Sequence, residues 1–409
     1  TWAEVVQVQE RLPTVPEQLL NPALWPVQAS PVPAPEPIAP KLTPSEPFVI
    51  WRDPAVMASF PSLAETNDGL LLSFRVAPRE PYDFAPGLGH QQHLHPRSSL
   101  ALAPLSADLT AGEMTLFPAD LFAADQDPNL CVLPDGKLMM SSFTWRPQAY
   151  GTAPHEAPGF FYEKPSGMSA MFWGSFTAQS GDGGKSWGKR NYLPALPGYP
   201  DLISGKRPWC GGRHRGQVVA TTDGRLLIGT YDRLDNASPF RCFLYESGDG
   251  GQSWKFSTAL SESDDQSVGF AEPTLHVLEN GDILALHRTF GAQGRLATTR
   301  SCDQGASWSA PEFHDVIGHP FHVLTLNVDW AVVLYALRAK KSAIKARLMS
   351  RQIGAFSAEE IELQHGAQTQ DIGYPGGIVL PDGRVLVCYY WVDENGTRYI
   401  EGVTLNPQA

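Results

Sequence analysis

The chain has 409 residues, 42% hydrophobic and 18% charged, with 31 Lys plus Arg against 43 Asp plus Glu for a formal net charge of −12. That apolar share excludes wholesale disorder, and no run reaches the roughly 18 apolar residues of a membrane helix, so no membrane partner is expected. The negative balance argues against nucleic acid as a partner, although a local arginine cluster can still receive an anionic small substrate. Gly (37) and Pro (36) are both abundant, which favours a turn-rich, all-β architecture. Cys131, Cys210, Cys242, Cys302 and Cys388 show no CxxC spacing. Neither a zinc or redox motif nor a disulfide framework is expected, one bridge at most. No signal-peptide pattern is visible, which leaves the compartment open, and the oligomeric state is equally open.

Residues 1–48 form a Pro-rich N-terminal arm: 11 of the first 50 residues are Pro, including Pro31, Pro33, Pro35 and Pro37. Such a segment is extended or polyproline-like, with a short helix expected around Ala3–Leu12. Residues 49–409 form the folded domain. Within it a turn flanked by apolar runs recurs: Asn67-Asp68-Gly69, Pro134-Asp135-Gly136, Thr222-Asp223-Gly224, Glu279-Asn280-Gly281 and Pro381-Asp382-Gly383. A degenerate copy surrounds Asn327. Asp-Gly and Asn-Gly between β-rich runs predict hairpins whose two central residues both take positive φ. Six hairpins over about 360 residues give one unit per roughly 60 residues.

A second element follows three of these hairpins. Ser180-Gly-Asp182-Gly-Gly184-Lys-Ser186-Trp187, Ser247-Gly-Asp249-Gly-Gly251-Gln-Ser253-Trp254 and Ser301-Cys-Asp303-Gln-Gly305-Ala-Ser307-Trp308 share the pattern Ser-x-Asp-x-Gly-x-Ser-Trp. A decayed copy runs over Leu105–Gly112. Asp binds backbone amides inside the turn, Gly supplies the strained dihedral, and Trp plugs between neighbouring sheets. This is the Asp box, and together with six hairpins it resembles the sialidase superfamily. The resemblance covers roughly residues 49–405 and implies an all-β fold, a six-bladed β-propeller of four-stranded antiparallel blades. The Asp box itself is a fold staple on the outer turns.

The residues just ahead of each hairpin's first strand carry the chemistry. In order they are Arg52-Asp53-Pro54, Asp127-Pro128, Arg213-His214-Arg215-Gly216, Glu272-Pro273, His319-Pro320 and Tyr374-Pro375. Proline extends its predecessor and donates no hydrogen bond, which suits the exposed start of an innermost strand. In a propeller the innermost strands surround one channel, so the six sites are expected to converge on one mouth.

The resemblance assigns roles. Sialidases hold the substrate carboxylate with three arginines, the first in an Arg-x-Pro motif, which Arg52-Asp53-Pro54 matches; Arg288 and Arg338 match the second and third by position. Tyr374 matches the catalytic tyrosine and Glu272 the glutamate that takes its proton. A carboxylate nucleophile would repel an anionic sugar acid, and a neutral tyrosine does not. A free tyrosine is weak, so it needs a neighbouring base. Arginine's planar fork suits bidentate carboxylate binding. The general acid departs from the pattern: Asp83 and Glu80 follow the first hairpin without a convincing motif, and Asp53 is an alternative. Arg75, Asp127, Arg213, Arg215 and His319 are expected to shape specificity. His90, His93 and His95 form a histidine-rich loop that supplies an acid, substrate ligands such as His95, a metal site or only a polar rim. The loops 150–167 and 194–210 are long enough to overhang the mouth.

The resemblance therefore implies an exo-acting, retaining sialidase-type glycoside hydrolase. Its expected partner is a carbohydrate with a carboxylate, such as sialic acid or a related 2-keto-3-deoxy sugar acid, and neither cofactor nor metal is required. Two alternatives stand: a propeller-type polysaccharide lyase acting on uronates, and a non-catalytic glycan-binding propeller.

Overall fold

In the computed structural model, which describes residues 37–79, 93–147, 151, 161–163, 169–197, 211–233, 238–261 and 267–408, each turn signal joins the two inner strands of a blade. Blade 1 runs Val56–Thr66, Gly69–Pro78, Ser99–Pro104 and Thr115–Leu116. Blade 4 runs Gly269–Val277, Ile283–Phe290, Arg295–Ser301 and Glu312–Ile317, and blade 5 runs His322–Thr325, Trp330–Leu337, Ala343–Ser350 and Phe356–His365. Blades 2 and 3 have innermost strands broken into two short pieces, Ala124–Asp125 with Asn129–Val132 and Arg213–His214 with Val219–Ala220. The fold is a six-bladed, all-β propeller of four-stranded antiparallel blades.

Blade 6 contains Gly373–Val379, Val385–Val392 and Arg398–Pro407, and its outer edge comes from the other end of the sequence. Leu42–Pro44, counted above with the Pro-rich arm, and Phe48–Trp51 both pair antiparallel with Arg398–Pro407. This pairing closes the ring and satisfies a strand edge that would otherwise be open. The compact unit runs from Ala39 to Ala409. Residues 1–36, with the helix expected near Ala3–Leu12, lie outside the described residues.

The hairpins form where expected but not with the expected turn. Gly136 N–H donates to the Leu133 carbonyl at 2.9 Å and Leu133 N–H to the Lys137 carbonyl at 2.8 Å. The same pair of bonds recurs at Thr221–Arg225, Leu278–Asp282 and Leu380–Arg384. Only the glycine has positive φ, at 80°, 83°, 85° and 86° in chain order. This is a type I turn followed by a left-handed glycine, not a turn with two positive-φ residues. The Asp or Asn before each glycine accepts the amide of the residue after it at 3.0–3.3 Å, which favours the right-handed conformation there.

The core lies between blades. Along Val385–Val392, Val385, Val387 and Tyr389 pack against blade 5, while Leu386, Cys388 and Tyr390 pack against blade 1. Side chains of a strand alternate faces, so a sheet sandwiched on both sides reads as an unbroken apolar run. The Asp boxes staple these interfaces from outside. In the first, Ser186 N–H and hydroxyl donate to the Asp182 carboxylate at 2.9 and 2.5 Å, and Gly184 N–H donates to Ser180 Oγ at 2.8 Å. Trp187 then meets Phe117 of blade 1 edge-on at 5.1 Å. Trp254 donates its indole N–H to Thr177 of blade 2 at 2.9 Å. At the decayed copy, Thr110 donates its hydroxyl to Asp108 at 2.8 Å, so the turn persists without the tryptophan. Cys131, Cys242, Cys302 and Cys388 are unbridged among the described residues, and no helix there is long and apolar enough to cross a membrane.

Candidate active site

Three innermost strands break their ladder in the same way. Register shifts fall between Ser59 and Ser62, Ala271 and Thr274, and Gly373 and Gly376. Each shift contains a residue with positive φ directly before a proline: Phe60 (56°), Glu272 (49°) and Tyr374 (50°). Left-handed backbone at a non-glycine residue costs on the order of 1–3 kcal/mol and persists only when the surrounding packing holds it. Proline has no ladder hydrogen bond to lose, and a bulge re-aims the side chain it carries. The strain thus turns Phe60, Glu272 and Tyr374 toward one another across the ring. Blades 3 and 4 approach closely beside them: a Cβ on Gly216 would sit 2.4 Å from the Pro273 carbonyl oxygen, so only glycine follows Arg215.

Tyr374 donates its hydroxyl to Glu272 Oε1 at 2.8 Å, and both side chains are buried. Arg288 Nη1 lies 3.2 Å from both Glu272 oxygens. Burial opposes charge on Glu272, yet Arg288, the His319 imidazole and the Tyr374 hydroxyl outweigh it and hold the carboxyl at about 2. Burial, reinforced by the Glu272 charge, drives the Tyr374 phenol well above its ordinary value. Tyr374 is therefore a neutral phenol bonded to a carboxylate. Burial and the neighbouring Arg288 push His319 down to about 3.

Two guanidinium groups lie over the Tyr374 ring, Arg215 at 5.2 Å and Arg338 at 5.3 Å from its centroid. Arg338 donates to Asp371 Oδ1 at 2.7 Å, and fully buried Arg398 donates to Asp371 Oδ2 at 2.8 Å. Tyr390 donates its hydroxyl to Asp371 at 2.7 Å, and His93 Nδ1 lies 3.3 Å from the same carboxylate. Burial would favour the neutral acid, but Arg398 and these neighbours keep Asp371 well below the usual carboxylate range. Breaking a buried pair of this kind costs about 3–5 kcal/mol. Arg75 completes the group: it donates to the His93 carbonyl at 2.9 Å, and burial next to Arg398 lowers it to about 10.

Asp127 differs from the other carboxyls. Its Oδ2 is 3.9 Å from Arg215 Nε, and its buried Oδ1 has no hydrogen-bond partner. Arg215 is held instead by Asn129 Oδ1 at 2.7 Å and by the Tyr374 carbonyl at 3.2 Å. Burial, only partly offset by Arg215 and reinforced by Glu272, raises Asp127 to about 7. The cup thus sets five guanidinium groups, Arg75, Arg215, Arg288, Arg338 and Arg398, against three carboxyls, Glu272, Asp371 and Asp127. Guanidinium groups therefore outnumber carboxyls in the cup although the whole chain is acidic.

The profile of the BNR repeat-like domain matches residues 159–387, more than half of the sequence. The chain belongs to the BNR repeat-like family. A search of curated protein sequences finds no match. Among solved structures, a Dyadobacter fermentans protein of unknown function superposes with a TM-score of 0.79 at 28% identity, over 90% of this chain and 100% of that one. The NanB sialidase of Streptococcus pneumoniae gives 0.60 at 14% identity, over 88% and 70%. An α-L-arabinanase of Penicillium chrysogenum, complexed with arabinobiose, gives 0.55 at 14% identity, over 89% and 98%. At 14% identity these two likenesses show the fold alone, and the fold is the one the Asp boxes imply.

This BNR-repeat propeller brings together Tyr374, Glu272, Arg288, Arg338, Arg75, Asp127, Arg215 and His319. It does not bring Arg52 to them. Arg52 belongs to the outer edge of blade 6, where it pairs with Asp393 and lies 5.0 Å over the Tyr399 ring. Asp53 accepts the Ala55 amide at 2.8 Å and closes a turn there. The physical reason is strand length. The first innermost strand is eleven residues long, so its axial pair is Phe60-Pro61 and not Asp53-Pro54. Blade 1 consequently offers an aromatic ring, 4.7 Å from that of Tyr374, in place of the expected guanidinium. Arg52→Ala is expected to leave kcat/KM within about two-fold and stability within about 1 kcal/mol, as for an exposed pair; steady-state kinetics and urea unfolding check both.

Arg213 is bound to buried Asp232 at 2.5 Å and packs over Trp145 at 5.0 Å, which ties blade 3 to blade 2. His95 is buried and its Nδ1 accepts the Arg97 amide at 3.0 Å, capping a turn. Asp83, Glu80 and His90 lie outside the described residues, as do most of the loops 150–167 and 194–210. Among the described residues no cluster of three or more metal-binding side chains forms. Asp371, Tyr390 and Arg398 were not singled out from the sequence. They stand in no motif, and the sole signal is charge placed inside or beside the apolar run of the last blade.

Proposed function

We propose that this protein is a retaining, exo-acting glycoside hydrolase for an acidic sugar of the sialic-acid or related 2-keto-3-deoxy class. The observation that carries it is the buried 2.8 Å contact between the Tyr374 hydroxyl and the Glu272 carboxylate, set under a ring of arginines. Sialidases and an arabinanase share the propeller, which agrees with glycosidase chemistry at the level of fold.

Arg288 and Arg338, whose side chains are 21% and 15% exposed, receive the substrate carboxylate. Tyr374 Oη attacks the anomeric carbon as its proton passes to Glu272. Phenol acidity rises sharply as the C–O bond forms, so a weak base suffices in the transition state although it does not deprotonate resting Tyr374. Asp127, neutral below about pH 7, gives its proton to the departing oxygen. Water then attacks the glycosyl–tyrosine bond with Asp127 as base; the phenolate recovers its proton from Glu272, and configuration is retained. An acidic substrate would repel a carboxylate nucleophile, whereas a neutral phenol carries no such penalty.

The test is release of 4-nitrophenol from its 2-ketosides of N-acetylneuraminic acid and of 3-deoxy-octulosonic acid, with proton NMR of the first-formed anomer. Release with retention is expected. Release with inversion overturns the covalent mechanism. A rising absorbance from an unsaturated product on uronate polymers, without ketoside cleavage, replaces hydrolysis by elimination. Binding without turnover of either leaves a lectin.

A further inference from the structure

One imidazole beside Tyr374 takes no part in the proposed chemistry. His93 lies between the second and third strands of blade 1, and its main chain is clamped by two donors. Its carbonyl accepts Arg75 Nη1 at 2.9 Å and Gln126 Nε2 at 2.7 Å, both from buried side chains. Its ring meets Phe60 edge-on at 5.2 Å and has its centroid 6.3 Å from that of Tyr374. Nδ1 reaches Asp371, just ahead of blade 6, at 3.3 Å, on the same Oδ1 that accepts Arg338 at 2.7 Å. Among the described residues nothing bonds Nε2. The side chain is 38% exposed, against 21% for Arg288 and 15% for Arg338. His93 is thus the most open of the three to an incoming ligand.

The partner of Nδ1 decides what Nε2 can do. Asp371 also accepts from Arg398 and Tyr390, which keep it an ionised carboxylate with lone pairs only, so the Nδ1 facing it carries a proton. A neutral ring protonated at Nδ1 presents a lone pair at Nε2. Desolvation, helped by the charges of Arg338 and Arg75, lowers the proton affinity of the ring below the ordinary histidine value despite Asp371. A sugar acid brings both kinds of group. Its carboxylate suits guanidinium, whereas its hydroxyls need an acceptor once water is displaced, because a hydrogen bond left unmade costs free energy. Glu272 is already engaged by Arg288 and Tyr374, and Asp371 by Arg338, Arg398 and Tyr390. From this geometry we infer that His93 is a specificity-determining residue: Nε2 accepts a hydrogen bond from a hydroxyl of the acidic sugar whose carboxylate is held by Arg338, its neighbour on Asp371. This role rests on the proposed hydrolase only for the class of ligand.

Nitrogen NMR of the full chain with isotope-labelled histidine tests it without requiring turnover, His93→Phe serving to assign the resonance. At about pH 7.5, a unit above the ordinary histidine value, Nε2 is expected to resonate as an unprotonated nitrogen. It should move toward the protonated position when N-acetylneuraminic acid or 3-deoxy-octulosonic acid is added, and stay in place with tetrahydropyran-2-carboxylate, a ring acid without hydroxyls. In titrations His93→Phe should bind the better of the two hydroxylated acids roughly three- to ten-fold more weakly and the bare ring acid as well as wild type does. The variant keeps a ring against Phe60 and leaves Asp371 with Arg338, Arg398 and Tyr390, and unchanged thermal unfolding checks its fold. A protonated Nε2 in the resting chain, or a sugar acid that binds without moving it, overturns the role of His93 and leaves the hydrolase proposal standing. Equal weakening of all three acids in His93→Phe overturns it as well, since a hydroxyl contact cannot act on the bare acid. The expected shift and selective weakening, alongside absent ketoside hydrolysis, would instead remove the hydrolase proposal and keep His93 as a reader of sugar hydroxyls.

Discussion

Tyr374→Phe is expected to lower kcat by roughly three orders of magnitude while leaving the folded state intact. The substitution removes one oxygen and nothing else. The ring keeps its edge contact with Phe60 at 4.7 Å and its contact with Tyr390 at 6.0 Å, and Glu272 keeps Arg288 at 3.2 Å, so no buried charge is left unpaired. A residue that merely packed in the channel would give a near-wild-type rate as phenylalanine. Glu272→Gln should lose a similar factor, because the amide cannot take the phenol proton, and its effect should not add to that of Tyr374→Phe, since the two act as one unit. Single-turnover kinetics on an aryl ketoside and intact-protein mass spectrometry read the outcome. A sugar adduct on the wild-type chain that is absent from Tyr374→Phe is expected; turnover by the variant within ten-fold of wild type would exclude a tyrosine nucleophile.

The second large effect concerns Asp127 and pH. Its carboxyl is held at about 7 and works as an acid only when protonated, so kcat/KM is expected to fall as pH rises through about 7. Asp127→Asn should abolish that alkaline limb and reduce the rate by about 10²–10⁴-fold on substrates with a poor leaving group. With 4-nitrophenol, which leaves without protonation, the loss should be far smaller. Equal losses on both substrates would show that Asp127 acts through substrate binding or structure and not as a proton donor. Stability carries an independent sign. The folded-state value is raised above the ordinary 3.8, so the folded chain binds more protons than the unfolded one between about pH 4 and 7. This contribution is fully present below about pH 4 and is lost as pH climbs to about 7. Asp127→Asn should therefore be more stable than wild type at pH 8, by an amount on the order of 2–4 kcal/mol, in urea unfolding.

The axial ring shows where sequence reasoning succeeds and where it stops. Glu272-Pro273 and Tyr374-Pro375 were legible because the proline, the hairpin that follows and the apolar strand all lie within a dozen residues. Their 2.8 Å contact spans 102 residues, yet propeller symmetry makes it foreseeable once the repeat is counted. Arg52 failed for a local reason of the same kind: an Arg-x-Pro motif looks alike whether it precedes the innermost strand or ends an outer one. Only the length of Val56–Thr66 separates the two, and a run of apolar residues does not announce its register. The hairpin turns failed more mildly, since Asp and Asn can adopt left-handed backbone but here use their carboxyl or amide oxygen to hold the right-handed one.

The electrostatics of the site lay beyond the sequence altogether. Asp371, Arg398 and Tyr390 become one network because strands of blade 6 pass behind the axial tyrosine, and no spacing rule connects an aspartate with an arginine 27 residues on. Asp127 stood out as an axial residue, but its raised proton affinity comes from being buried with one oxygen unpartnered, a property of the surroundings and not of the residue. The six-fold repeat, the Asp-box staples and the side chains offered to the axis follow from short-range patterns that every unit repeats, and the sequence alone determines those. Which guanidinium groups share the cup and which carboxyl is raised follow from how much water each group loses when the six sheets close on one another. Desolvation depends on three-dimensional neighbours, so only the tertiary structure decided them.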